Sequence, residues 1–191
     1  MTELTHENKT FEKITYTGQE IKNREFDQCT FKNCDLSESS FAYSKFTDCT
    51  FISCNLSMLK LNQTSMQGVL FKESKLLGIN FSECESFLFS VRFENSLLDF
   101  TSFVNKKMPR TLFANCSMKS VNFAGTNLQK SVFEHTDLAD ASFDRTDLKE
   151  ADLSTAYNFI ISPENNLIKK AKFSVQGLPG LLAQYDIRIE E

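Results

Sequence analysis

The 191-residue chain has no tryptophan, two histidines, three prolines and six glycines. Two histidines, His6 in the leader and His135 further on, offer no catalytic constellation, and the scattered glycines form no phosphate-cradling loop. No apolar run approaches the ~20 residues that a membrane helix needs. The opening MTELTHENKT lacks the basic-then-apolar order of a secretory signal. These absences lead to the expectation of a cytoplasmic chain with no membrane partner. An excess of basic charge is missing too: the net charge is -4 and the pI about 5.3. That balance argues against direct binding of nucleic acid or of an anionic surface.

What the chain has in abundance is phenylalanine, 19 residues of it. Stepping by five from Phe11 through Tyr16, Ile21 and Phe26 to Phe81 meets fifteen positions, every one large and apolar. The next step reaches Ser86, and the frame fails. Displaced by two residues it resumes at Leu88 and runs through Phe93, Leu98 and Phe103 to Leu153, fourteen more without exception. Two residues before most of these centres stands a small one, as at Cys29, Cys34, Ser39 and Ser44, and again at Thr126, Ser131 and Thr136.

Neither the 3.6-residue helix nor the two-residue strand gives a period of five. A backbone turning about 90° per pentad does. Four pentads then close a square coil, with the large and the small residue both facing the axis. The fold class expected is all-β: a right-handed quadrilateral β-helix of about seven coils and ~35 Å, at the ~4.8 Å spacing of paired strands. Phenylalanine holds the centres at 93, 103, 113, 123, 133 and 143. Because residues ten apart lie on opposite faces, two walls should carry Phe stacks and the other two Leu/Met stacks.

The expected organisation is an N-terminal cap with irregular first pentads over 1–25, a repeat body over 26–157, and a C-terminal cap over 158–191. Two extra residues near 82–92 predict a bulge. Leu59 and Ile79 fall in small slots and should stack. Lys106 also falls in an inward slot, where an unpaired amine is costly, and Pro109 has no ladder donor. The segment 104–112 is therefore expected to leave the coil as a surface loop. The tail predicts a short helix near 178–185 and a strand at 186–189.

Six cysteines suggest zinc at first sight, but all six occupy the small inward slot, and Cys29–Cys34 and Cys49–Cys54 are each split across two faces. They read as packing residues, kept reduced in a cytoplasm. Asp137, Asp147 and Asp152, just before centres, are placed to bond turn backbone. No catalytic residue, metal, cofactor or small-molecule substrate is expected, and the chain reads as a binding protein and not an enzyme.

Tracts such as CDLSESSF, TNLQKSVFEHTDLADASF and TDLKEADLSTA resemble the A(D/N)LXX consensus of pentapeptide-repeat proteins over residues 11–157. The order TYTGQEIKNREFDQCTFKNCDLSESSF, KLLGINFSECESF and SFVNKKMPRTLFANC, with the tail from SPENNLIKKAKF, is similar to the quinolone-resistance (Qnr-type) and microcin-immunity members. That resemblance implies a DNA-mimicking protein that binds bacterial DNA gyrase or topoisomerase IV and protects it from quinolone-like or peptide poisons. It implies a homodimer joined at the C-terminal ends, through Leu178, Leu181, Leu182, Ile187 and Ile189. It also implies a partner-binding loop at Lys106, Lys107, Met108, Pro109 and Arg110. The alternative is a structural adaptor for an unrelated protein.

Charge is uneven along the chain. Residues 131–157 carry seven acids (Glu134, Asp137, Asp140, Asp144, Asp147, Glu150, Asp152) against two bases, a net -5. Residues 61–130 carry five acids and eight bases, a net +3. Duplex DNA holds one charge per ~1.7 Å, about four over the ~6.5 Å that the acidic segment spans. Mimicry confined to the C-terminal coils therefore matches locally, and so does the reading in which these acids serve turns and a solvated face. The mimicking surface expected is Glu134, Asp137, Asp140, Asp144, Asp147 and Glu150.

Overall fold

A large apolar side chain at every fifth position reaches a shared axis only if each pentad turns a corner. The computed structural model, which describes residues 4–190, turns such corners through about eight coils of a parallel β-solenoid. On the first face lie β1 (Thr5–Glu7), β3 (Glu25–Asp27), β5 (Lys45–Thr47) and β7 (Ser65–Gln67). The second face is a continuous nine-stranded sheet. It comprises β2 (Thr10–Glu12), β4 (Thr30–Lys32), β6 (Thr50–Ile52), β8 (Val69–Lys72), β9 (Val91–Glu94), β10 (Leu112–Ala114), β11 (Val132–Glu134), β12 (Asp152–Leu153) and β13 (Lys172–Phe173). Single bridges 20 residues apart build the third face (Thr15, Asp35, Asn55) and the fourth (Glu20, Ser40, Lys60).

Side chains of opposite walls meet on the axis. Phe93, Phe113 and Phe133 stack on the second face at 5.4 and 4.8 Å, and Phe81, Phe103, Phe123 and Phe143 on the fourth at 4.8, 5.5 and 5.2 Å. Across the axis the rings meet edge to face, as Phe103 does with Phe113 at 6.2 Å. Edge-to-face rings pair a positive edge with a negative face. Leu98, Met118 and Leu138 line the third wall, fully buried. Leu59 and Ile79 are buried in the small slots of successive coils.

The corners explain why so few glycines suffice. Most are taken by non-glycine residues in left-handed backbone, among them Asn33 (φ 54), Asn105 (φ 59), Asn115 (φ 53) and Asp140 (φ 57). Asn and Asp tolerate that region best of the non-glycine residues. Most corner amides also join the inter-coil ladder, as Asn115 N does to the Glu134 carbonyl at 2.8 Å.

Four expectations are corrected. The coil is in register from Thr5, so the stretch expected as a cap with irregular first pentads is already ladder-paired solenoid; residues 1–3 lie outside the described residues. At the other end the ladder continues past 157 to Phe173, which pairs with Leu153 and raises about seven coils to about eight. The segment 104–112 stays in the coil: Met108 is buried, its N–H donates to the Asn127 carbonyl at 3.0 Å, and Arg110 N to Gln129 O at 2.8 Å. Finally, Leu88 is not a core centre. It is 61% exposed, and its neighbour Phe89 takes the inward place. The insertion appears as a register of 22 between Phe71 and Phe93, and its surplus residues bulge from the first face with Phe87 and Leu88 outermost.

Candidate interaction surfaces

The small slots do more than fit. Thiols and hydroxyls there reach back 23 residues to the carbonyl of the coil beneath: Cys29 to His6 at 3.4 Å, Cys54 to Phe31 at 3.4 Å, Thr126 to Phe103 at 2.8 Å, Thr146 to Phe123 at 2.9 Å. Asn166 continues the file, its Nδ2 donating to the Phe143 carbonyl at 3.1 Å. All six cysteines are free and buried. Burial pushes the thiols of Cys49, Cys54 and Cys84 up to about 12, and that of Cys116 to about 11. At pH 8 none should react with a thiol reagent in the native protein, and all six should after unfolding; labelling of native protein would contradict this. A raised folded pKa stabilises fully below the ordinary 9.0 and loses that contribution as pH rises towards about 12, so unfolding free energy should fall above about pH 9.

Lys106 shows why the expected loop does not form. Its amine donates to the Cys84 carbonyl and to Ser86 Oγ (3.4 Å), and lies 5.1 Å from the centroid of the Phe89 ring. The bulge thus supplies the partners that a buried amine needs. Burial lowers the pKa of Lys106, with Cys84 and Glu85 opposing. Of the segment expected to project, Lys107, Pro109 and Arg110 are exposed on the coil surface, while Lys106 and Met108 are not accessible.

The acidic segment wraps more than a full coil, so its carboxylates encircle the rod and do not form one patch. Glu134 and Asp152 lie on the second face, Asp137 on the third, Asp140 at the following corner, Asp144 on the fourth face, and Asp147 and Glu150 on and beside the first. Several have near neighbours of opposite charge: Arg145–Asp144 at 3.0 Å, Lys119–Asp137 at 3.5 Å, Lys149–Asp147 at 3.5 Å and Lys130–Glu150 at 3.6 Å. Asp137, Asp147 and Asp152 also accept turn amides, from Ala139, Lys149 and Ser154, at 3.2, 3.2 and 3.0 Å. Hydrogen bonds from the Ser154 hydroxyl and amide hold Asp152 below the usual carboxylate range.

At the C-terminal end the helix α1 (Leu178–Leu182) packs over the last coil, where Ile161 N donates to Gly180 O at 3.0 Å. Leu181 and Leu182 are half-buried; Leu178, Ile187 and Ile189 are exposed at 45, 55 and 54%. The strand expected at 186–189 is absent, since those residues join no ladder within the chain. Sequence reasoning also missed His6, which is buried and stacked 5.0 Å from Phe26; its position 20 residues before Phe26 was the available signal. His135 sits exposed at a corner. Among the described residues no group of three or more His, Cys, Asp or Glu is arranged to hold a metal, and no helix is long and apolar enough to cross a membrane.

A family model described as a pentapeptide repeat region matches residues 24–103, and one described as pentapeptide repeats (8 copies) matches 116–154. Among solved structures the chain is similar to a trypsin-treated single-substitution form of QnrB1, a plasmid-mediated fluoroquinolone resistance protein. The TM-score is 0.69 at 15% identity, covering 95% of this chain and 100% of that one. A second trypsin-treated form, carrying a different substitution, matches at a TM-score of 0.57 and 19% identity, covering 98% of each. No curated protein sequence matches the chain. At such identities the likeness is one of fold.

Proposed function

Because the chain belongs to the pentapeptide-repeat family, we propose that it is a non-catalytic binding protein that occupies a bacterial type II topoisomerase, DNA gyrase or topoisomerase IV, and shields it from poisons. One observation carries the reading: nearly the whole chain superposes on a protein of fluoroquinolone resistance. Physical features support it. The rod is solid, so function lies on its surface. Its last coils carry carboxylates on the second, third and fourth faces. Exposed Leu178, Ile187 and Ile189 would join two copies end to end, bringing both acidic belts to the middle of a longer rod. Binding would be stoichiometric, steered by charge and weakened by salt.

The test reverses four exposed or half-exposed acids together, Glu134, Asp140, Asp144 and Glu150 to Lys. The native chain should lower ciprofloxacin-stabilised cleavage by gyrase, and the variant should lose that effect while unfolding at the same denaturant concentration. Equal protection by both would remove charge mimicry. The adaptor reading draws on a separate observation: Lys107, Arg110, Lys169 and Lys170 stand exposed on the rod, a feature unlike DNA.

A further inference from the structure

Residues 20 apart form straight files along this rod, and three adjacent files carry charge of the unexpected sign. On the first face Lys107, Asn127, Asp147 and Leu167 are bridged in order. At the corner that follows, Arg110, Lys130, Glu150 and Lys170 all take left-handed backbone. Ladder bonds from Lys130 N to Lys149 O (2.9 Å) and from Glu150 N to Lys169 O (3.0 Å) set the file of Lys149 and Lys169 beside that corner. Six bases therefore line this strip against two acids, a local +4 in a chain of net -4. Lys130 and Lys149 lie near the acids Glu150 and Asp147. Lys107, Arg110, Lys169 and Lys170 are exposed, with no ion pair among the described residues. One coil before Lys107, on the same face, the bulge clamped by Lys106 holds Phe87 and Leu88 at 75 and 61% exposure.

We propose that this face docks an acidic, extended segment of a partner protein, with an apolar side chain of that segment against Phe87 and Leu88. Charge complementarity selects the occupant. Duplex DNA would carry its phosphates past Asp147 and Glu150, with Glu134 and Asp152 beside them, and would offer the Phe87 tip no apolar surface. A peptide can place carboxylates only where lysines stand and an aliphatic or aromatic group where the bulge stands. From the bulge to Lys170 is about four coils, ~20 Å at strand spacing, which about six extended residues span. The proposal is independent of the topoisomerase reading, since it needs only an acidic partner.

The experiment is fluorescence anisotropy of a labelled oligoglutamate peptide with one phenylalanine at its end, titrated with the full chain. Saturable binding that fades as ionic strength rises from about 0.05 to 0.5 M is expected. Lys169→Glu with Lys170→Glu should weaken binding about tenfold, two rim charges at about 0.7 kcal/mol each, and Phe87→Ser severalfold. Lys32→Glu with Lys72→Glu, on the second face, should leave it unchanged. No binding at low salt, equal loss in the second-face variant, or displacement by a duplex oligonucleotide of the same charge would each overturn the proposal.

Discussion

Phe123→Ala is expected to lower the unfolding free energy by about 3–5 kcal/mol. The ring is fully buried, stacked on Phe103 at 5.5 Å and Phe143 at 5.2 Å, with Phe113 and Phe133 edge-on at 6.0 Å. Its neighbours are fixed by ladder bonds above and below, so the walls have little freedom to collapse into the void. Chemical denaturation followed by circular dichroism measures the change. A loss under about 1 kcal/mol, far below the range for a buried ring, would mean that the axis is not packed as described.

Gly180→Ala should undock the C-terminal cap. A Cβ at that position would stand 2.1 Å from the Phe159 carbonyl oxygen, which is backbone and cannot swing aside. Overpacking of this kind costs about 1–3 kcal/mol, and here it falls on one short helix and not on the solenoid. The Ile161 amide, which donates to Gly180 O, should then exchange its hydrogen about tenfold to a hundredfold faster. In the proposed dimer, removing α1 from its seat disrupts the joining surface, so sedimentation should shift towards the 21.8 kDa monomer. Unchanged exchange at Ile161 would show that the cap tolerates the added methyl.

The repeating part of this fold was legible because each pentad is a local copy of one geometry. Phe93, Phe113 and Phe133 are predicted on one wall by arithmetic alone. Errors cluster where arithmetic gives no guidance. Leu88 continued the period of five, yet inside an inserted segment the backbone chooses which neighbour turns inward, and Phe89 buries the larger ring. Lys106 looked too costly to bury because its acceptors, the Cys84 carbonyl and Ser86 hydroxyl, lie a full coil away in sequence. The acidic belt was visible as a run of charge, but its distribution over four faces follows only from wrapping the run round the rod. Face-one lysines escaped notice for the same reason: Lys130, Lys149 and Lys170 are neighbours only at a spacing of about 20.

The most direct test of the functional account is sedimentation of the native chain with purified gyrase, with and without competing duplex DNA. The account predicts a stoichiometric complex that dissociates as duplex DNA or salt is added, because the protein and DNA would share one seat. Independent sedimentation of the two proteins at low ionic strength, or a complex indifferent to DNA, would contradict it.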